Sequence, residues 1–274
     1  IGGWAVGIRM AGAQLVGSYE WWEEAARTHE ANHGESVTVQ DIRLLPLESF
    51  PRKVDFVVGS PPCTQFSFSN RGGKGDIQDG LVDIRKFLEV VDELKPKAWA
   101  MENVPRVAVI LEELLRTGRQ FDRFAHLFGE IEVIDAAEWG VPQRRRRMIA
   151  GKFDFDLLRS YRDRQPTRTL GEIVSGLKNG QVDPVFGWDV GAFTDHLEEA
   201  RLTPEEMRLN RDQKEFHRVY NKMPFPDQLE RPARTVTALC TRVSRESIVI
   251  KAGQGVRRLT IRERASLQSF PRTP

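Results

Sequence analysis

Asp55-Phe56-Val57-Val58-Gly59-Ser60-Pro61-Pro62-Cys63-Thr64-Gln65-Phe66-Ser67 runs from an apolar stretch through a double proline to a cysteine. The run Asp55–Gly59 is short, apolar and bounded by turn residues, which predicts a buried β-strand. Two consecutive prolines fix φ and forbid a helix, so the chain turns at the strand's carboxyl end. In open α/β sheets that edge is where ligands bind. A thiol there faces a cleft rather than a core, the setting a nucleophile needs.

Outward from this strand, residues 1–152 alternate between strand-like and helix-like segments. Strands are expected at Ala13–Tyr19, Asp55–Gly59, Lys97–Met101, Glu132–Ala136 and Met148–Lys152. Helices are expected at Trp22–Asn32, Ile84–Leu94 and Val107–Leu115. Such alternation predicts a doubly wound, mostly parallel α/β sheet. After Phe153 the rhythm gives way to polar, loop-rich sequence such as Lys178-Asn179-Gly180 and Met223-Pro224-Phe225-Pro226. β-Branched alternation resumes over 235–250, and Leu259–Gln268 reads as a helix. The expected division is a catalytic and cofactor-binding domain over 1–153, a smaller lobe over 154–250, and a segment 251–274 returning to the first domain.

The bulk numbers narrow the class. The 274 residues suffice for one large domain or two unequal ones. No apolar run approaches the roughly 18 residues of a membrane helix. Cys63 and Cys240, far apart, suggest free thiols in a reducing compartment; Cys240 reads as a packing residue in a strand. Net charge is only +2, yet residues 231–274 hold ten Lys/Arg against Glu246 and Glu263, a local +8. With the run Arg144-Arg145-Arg146-Arg147, this fits either a polyanion partner or a solvated basic face.

Several residues carry possible chemistry. Ile1-Gly2-Gly3-Trp4-Ala5-Val6-Gly7 is glycine-rich and leads into a helix, but it lacks full Gly-x-Gly-x-x-Gly spacing. Glu20 ends a strand candidate, where an acid binds a ribose diol, and Trp21 beside it can stack on a base; an exposed acid next to a packing tryptophan fits as well. His29-Glu30-Ala31-Asn32-His33 matches a zinc pattern, but Gly34 ends the helix and no third ligand follows, so it reads as a polar helix end. Glu102 ends the Lys97–Met101 strand, on the same edge as Cys63. A thiol and a carboxyl group there suit covalent attack on an electron-poor ring, and a helix-capping acid is the plainer alternative. Gln143, Arg145 and Arg147 share one face if extended, with Arg144 and Arg146 on the other.

Together these segments resemble the DNA (cytosine-5)-methyltransferase family. The resemblance rests on Pro61-Pro62-Cys63 with Phe66-Ser67, Glu102-Asn103-Val104, Gln143-x-Arg145-x-Arg147, Arg231-Pro232-Ala233-Arg234-Thr235-Val236-Thr237 and Arg258-Leu259-Thr260-Ile261-Arg262-Glu263 through Leu267-Gln268-Ser269-Phe270-Pro271. These five elements stand in the family's order and cover the chain outside 154–230. The resemblance implies an S-adenosylmethionine-dependent methyltransferase fold with a target-recognition lobe. It implies methyl transfer to C5 of cytosine in a specific duplex DNA sequence, through a covalent Cys63–C6 adduct on a flipped base. Cys63, Glu102, Arg145 and Arg147 would be catalytic. Ile1, Gly3, Glu20, Trp21, Asp41, Ile42, Pro62 and Leu81 would bind S-adenosylmethionine, with no metal. Ser67, Gln143, Arg145, Arg147, Arg234 and Thr235 would contact nucleic acid. A monomeric prokaryotic protein of the cytoplasm, nucleoid-associated and in a restriction–modification setting, is the implied context. A tRNA cytosine-5 methyltransferase and a catalytically silent nucleic-acid-binding homologue are the alternatives. The family's opening Asp-x-Phe-x-Gly strand and closing Gly-Asn-x-Val-Pro-Pro motif fall outside Ile1–Pro274, so the sequence reads as a trimmed chain.

Overall fold

The computed structural model describes residues 2–67, 75–117, 121–162, 164–177, 182, 189–192, 194–216, 222–238 and 240–270. Contacts divide the chain into two compact units. The first comprises 1–134, 146–160 and 273–274; the second comprises 135–145 and 161–272.

In the first unit a four-stranded sheet runs in the order β3-β4-β6-β5, formed by β3 (Phe56–Gly59), β4 (Ala98–Asn103), β5 (Glu130–Asp135) and β6 (Arg146–Lys152). β3 and β4 are parallel, with Gly59 opposite Met101. β4 and β6 are antiparallel, with Glu102 opposite Ile149. A separate parallel pair joins β1 (Tyr19–Glu20) to β2 (Thr38–Val39). Strict alternation along β4 buries Trp99, Met101 and Asn103 and leaves Ala98, Ala100 and Glu102 more open, as a two-residue period demands.

Four helices accompany these strands: α1 (Gly3–Met10), α2 (Glu23–His33), α3 (Ile77–Leu94) and α4 (Pro105–Thr117). α3 starts where the Asp76 carboxylate accepts from Asp79 N, and it stops at Lys95, whose φ of 48° is left-handed. Its buried face, Leu81, Ile84, Leu88 and Val91, follows helical spacing. That face packs with Trp99, Met101, Leu111, Met148 and Phe124 in the main core. Asp154 precedes the short α5 (Phe155–Ser160), its carboxylate accepting from Leu157 N.

The second unit holds α6 (Leu170–Gly176), α7 (Pro204–Glu215), the hairpin β7 (Val249–Ala252) and β8 (Gly255–Arg258), and α8 (Ile261–Leu267). Leu170, Ile173 and Leu177 bury against Ile250, Leu259 and Leu267. Within this unit, Leu259 and Leu267 pack on the apolar stripe of α6.

Two strand expectations differ from the structure. Residues 13–18 are irregular and largely exposed, and pairing begins only where Thr38 N donates to Ser18 O. Among the described residues of 235–250, only Val249 and Ile250 are in a strand; Thr241–Ser247 is a run of turns held by Ser244 N to Thr241 O and Ser247 N to Ser244 O. The Lys178–Gly180 loop lies outside the described residues.

Candidate active site

Cys63 sits four residues past β3 in a tight turn, where its carbonyl accepts from both Phe66 N and Ser67 N at 3.0 Å. The turn is anchored on two sides. Phe66 is fully buried beside Gly80 of α3, where an added Cβ would lie 2.7 Å from its ring. Asn103 Nδ2, at the end of β4, donates to Pro61 O at 3.0 Å. Asn103 is 1% exposed, and its Oδ1 accepts from Val104 N at 2.9 Å, so both ends of the amide are used. This clamp was absent from the sequence expectation, although β4 alternation marks position 103 as inward. The thiol of Cys63 is half-buried and not in a disulfide.

Glu102 lies within β4 rather than just beyond it, one residue past the Gly59–Met101 pairing. Antiparallel register puts Arg147 diagonally across from it on β6. Arg147 Nε donates to Glu102 Oε1 at 2.8 Å, and both side chains are partly open, at 19% and 24%. Cys63 and Glu102 thus share the carboxyl edge of a parallel strand pair, with a guanidinium holding the carboxylate.

Beside this edge opens a cleft of about 1400 Å³, lined by Gly3, Glu20, Trp21, Asp41, Ile42 and Pro62 among others. Its floor needs glycine: Gly2 has φ 82°, and a Cβ there would lie 2.3 Å from His33 Nε2. The polar groups of the lining fit a nucleoside. Glu20 Oε1 accepts from Trp21 N and Trp22 N at 2.9 and 3.1 Å, which fixes the carboxylate and leaves Oε2 for a diol. Trp21 is 68% exposed, offering an indole face. Asp41 Oδ1 caps the turn Ile42–Leu44 through Arg43 N at 2.9 Å, leaving Oδ2 for an amino group.

Not every expected residue joins these groups. Ile1 lies outside the described residues. Leu81 is 2% exposed and packs in the α3 core instead of lining the cleft. Gln143 is fully buried in the second unit: Nε2 donates to Leu267 O, and Oε1 accepts from Val236 N at 2.9 Å. Its amide holds the segment after Arg234. Arg234 is likewise engaged, with Nε donating to Asp227 Oδ1 at 2.6 Å and Nη2 to Ser247 O. Thr235 Oγ1 donates to Arg144 O at 2.8 Å. Arg145 belongs to the second unit, its N–H donating to Asp135 Oδ1 at 3.0 Å. Ser67 is half-buried at the end of the cysteine turn.

Part of the positive charge of residues 240–270 is offset by acids elsewhere in the second unit. Arg242, Arg257, Arg258, Arg262 and Arg264 pair with Asp195, Glu198, Glu199, Glu206 and Glu263. Cys240 is outside any strand and accepts from Arg258 Nη2 at 3.6 Å. The rings of His29 and His33 meet at a tilt on α2, 4.5 Å between centroids, and no group of three metal-binding side chains occurs among the described residues. No described helix is long and apolar enough to cross a membrane.

The chain is 31% identical over 160 residues to the type II methyltransferase M.HindV of Haemophilus influenzae, covering 56% of this chain and 50% of that protein. It is 27% identical over 285 residues to M.AplI of Arthrospira platensis, covering 98% and 73% respectively. The chain spans about half or less of the length of the first curated relatives it matches. Among solved structures, an E. coli prophage-encoded protein assigned as a DNA modification methyltransferase superposes with TM-score 0.68 at 17% identity, covering 98% of this chain and 86% of that one. Schizosaccharomyces pombe Dnmt2 methyltransferase gives 0.62 at 14%, covering 99% and 84%. These likenesses show the shared fold. The family model for C-5 cytosine-specific DNA methylase matches residues 1–273, and the chain belongs to that family.

Proposed function

We propose that this protein transfers a methyl group from S-adenosylmethionine to C5 of a cytosine flipped out of duplex DNA. The observation that carries this is the shared edge: Cys63 in its clamped turn, with Glu102 one residue past the paired strand end and bonded to Arg147. Cytosine C5 is too weak a nucleophile to take a methyl group directly. The Cys63 thiolate adds at C6, forming an S–C6 bond and placing electron density on C5. Glu102 hydrogen-bonds N3 and the exocyclic amino group, offsetting charge as the adduct forms. Arg147 holds the Glu102 carboxylate in place and offers its remaining donors to the base oxygen or a phosphate, with Arg145 as a further phosphate contact. When bound, S-adenosylmethionine supplies the electrophilic methyl group on its sulfonium. Loss of the C5 proton to a base returns an electron pair that expels Cys63.

Glu20 and Asp41 are the acids that hold the cofactor's diol and adenine amino group, with Trp21 stacking on the ring; Gly3, Ile42 and Pro62 complete its wall. The region 154–250 is the target-recognition lobe. The relatives' names support a restriction–modification setting for the protein in prokaryotic cells. The test is methyl transfer by the full-length protein to duplex DNA and to tRNA in parallel, followed by bisulfite mapping. Incorporation at one cytosine of a short duplex sequence is expected; incorporation into tRNA alone, or binding without transfer, overturns the reading.

A further inference from the structure

The turn that carries Asp41 and the turn that carries Cys63 are fastened to the same end of α3. Arg43, two residues past Asp41, grips Asp83 with Nε and Nη2 at 2.6 and 2.8 Å. Its Nη1 donates to Asp79 Oδ1 at 2.8 Å, and Nη2 also reaches Asp79 O. The other Asp79 oxygen, Oδ2, accepts from Gln65 Nε2 at 3.2 Å. Gln65 stands two residues past Cys63, and its Oε1 accepts from Asp76 N at 2.9 Å. Asp79 is thus the one carboxylate bonded to side chains of both turns among the described residues. Its charge is fixed: the Arg43 hydrogen bond holds its carboxyl below the ordinary range, against the weaker opposing effect of burial. Arg43, Gln65, Asp79 and Asp83 all line the cleft, so a ligand pressing on the Asp41 turn meets this network directly.

We infer that Asp79 is a positioning residue that couples occupancy of the cleft to the setting of the Cys63 turn. The coupling runs from the Asp41 turn through Arg43 and Asp79 to Gln65. It rests on the proposed role of the cleft as the cofactor site, and it adds a means by which a filled cleft prepares the nucleophile. A bidentate guanidinium and a two-ended amide are directional, so a small shift of one turn is passed on rather than absorbed.

The test reads the thiol directly. In a full-length Cys240→Ser background, the rate of Cys63 alkylation by iodoacetamide is measured with and without S-adenosylhomocysteine, whose binding is followed by calorimetry. The ligand is expected to change the rate by about fivefold or more, the range of ordinary coupling between sites. In Asp79→Asn and Gln65→Met the ligand-dependent change should collapse, and the double variant should lose no more than either single one. Asp79→Glu, which keeps the charge, should recover part of it. If the change persists in both single variants, the ligand shields Cys63 directly and the inference fails. If the ligand binds and no rate change occurs in the parent, it also fails. If the ligand does not bind the parent, the cofactor reading itself is overturned.

Discussion

The first unit leaves the Glu102–Arg147 pair partly open at a strand end, whereas the second encloses two of its paired acids, Asp227 and Glu263. Glu102 and Arg147 keep 24% and 19% of their side-chain surface, on a sheet edge beside a proline turn. In the second unit, Glu263 takes both Arg257 Nη atoms at 2.8 Å while almost fully enclosed. Asp227 bonds Lys214 at 2.9 Å and Arg234 at 2.6 Å, again with little exposure. The same residue types therefore do different work according to what water and ligand can reach. Ions with open oxygens and donors are available to a substrate; enclosed ones are spent on fixing loops.

The Asp227 cluster shows how such spending is balanced. Burial pushes its carboxyl up, but the Arg234 hydrogen bond, the charges of Lys214 and Arg234 and the Val249 amide outweigh that and hold it below the ordinary range. Lys214 has only a carboxylate already shared with Arg234, so burial wins and brings it down to about 8.

Substitutions can break this contrast, in decreasing order of effect. Glu102→Gln should lower methyl transfer on the order of 10²–10⁴-fold, measured as single-turnover rate. Its melting temperature should hardly move, because the pair is partly solvated. Asp227→Ala should do the reverse: it strands a buried ammonium and costs about 3–5 kcal/mol in denaturant unfolding. An activity loss no larger than the lost folded fraction would confirm the division. Asn103→Ala leaves the Pro61 carbonyl without its donor and should cost about 1–3 kcal/mol, together with faster alkylation of Cys63. A separate prediction concerns pH dependence. Lys214 loses its proton near pH 8 when folded but near 10.5 when unfolded, so the unfolded chain binds more protons in between. Stability contributed by this group should therefore rise from about pH 8 to 10.5, and Lys214→Met should remove that rise.

How far the sequence could be read follows the same contrast. The Asp55–Gly59 strand, the α3 stripe and the double proline are local signals; the strand forms over Phe56–Gly59, but it is not buried as its apolar run implies, since Phe56 is 62% exposed. Glu102 and Arg147 meet through a strand pairing that periodicity puts on one face but does not orient; β6 runs antiparallel to β4, and that brings them together. The charge count failed where partners are distant in sequence. Arginines 242, 257, 258, 262 and 264 pair with acids at 195–206, which offsets part of the local +8. Periodicity puts Gln143 on one face with Arg145 and Arg147 but does not tell its burial; Ala233 and Leu267, far along the chain, are bonded to it and it is fully enclosed. Ala13–Gly17 failed for the opposite reason: apolar residues without a neighbouring strand form no ladder.

The most direct test of the central claim is covalent capture. The full-length protein is incubated with S-adenosylmethionine and a duplex carrying 5-fluorocytosine at the methylated position, and the adduct is mapped by mass spectrometry. The account predicts a denaturation-resistant protein–DNA adduct through Cys63 that is lost in Cys63→Ala, with folding unchanged. Methyl transfer surviving in Cys63→Ala, or an adduct through any other residue, would contradict it.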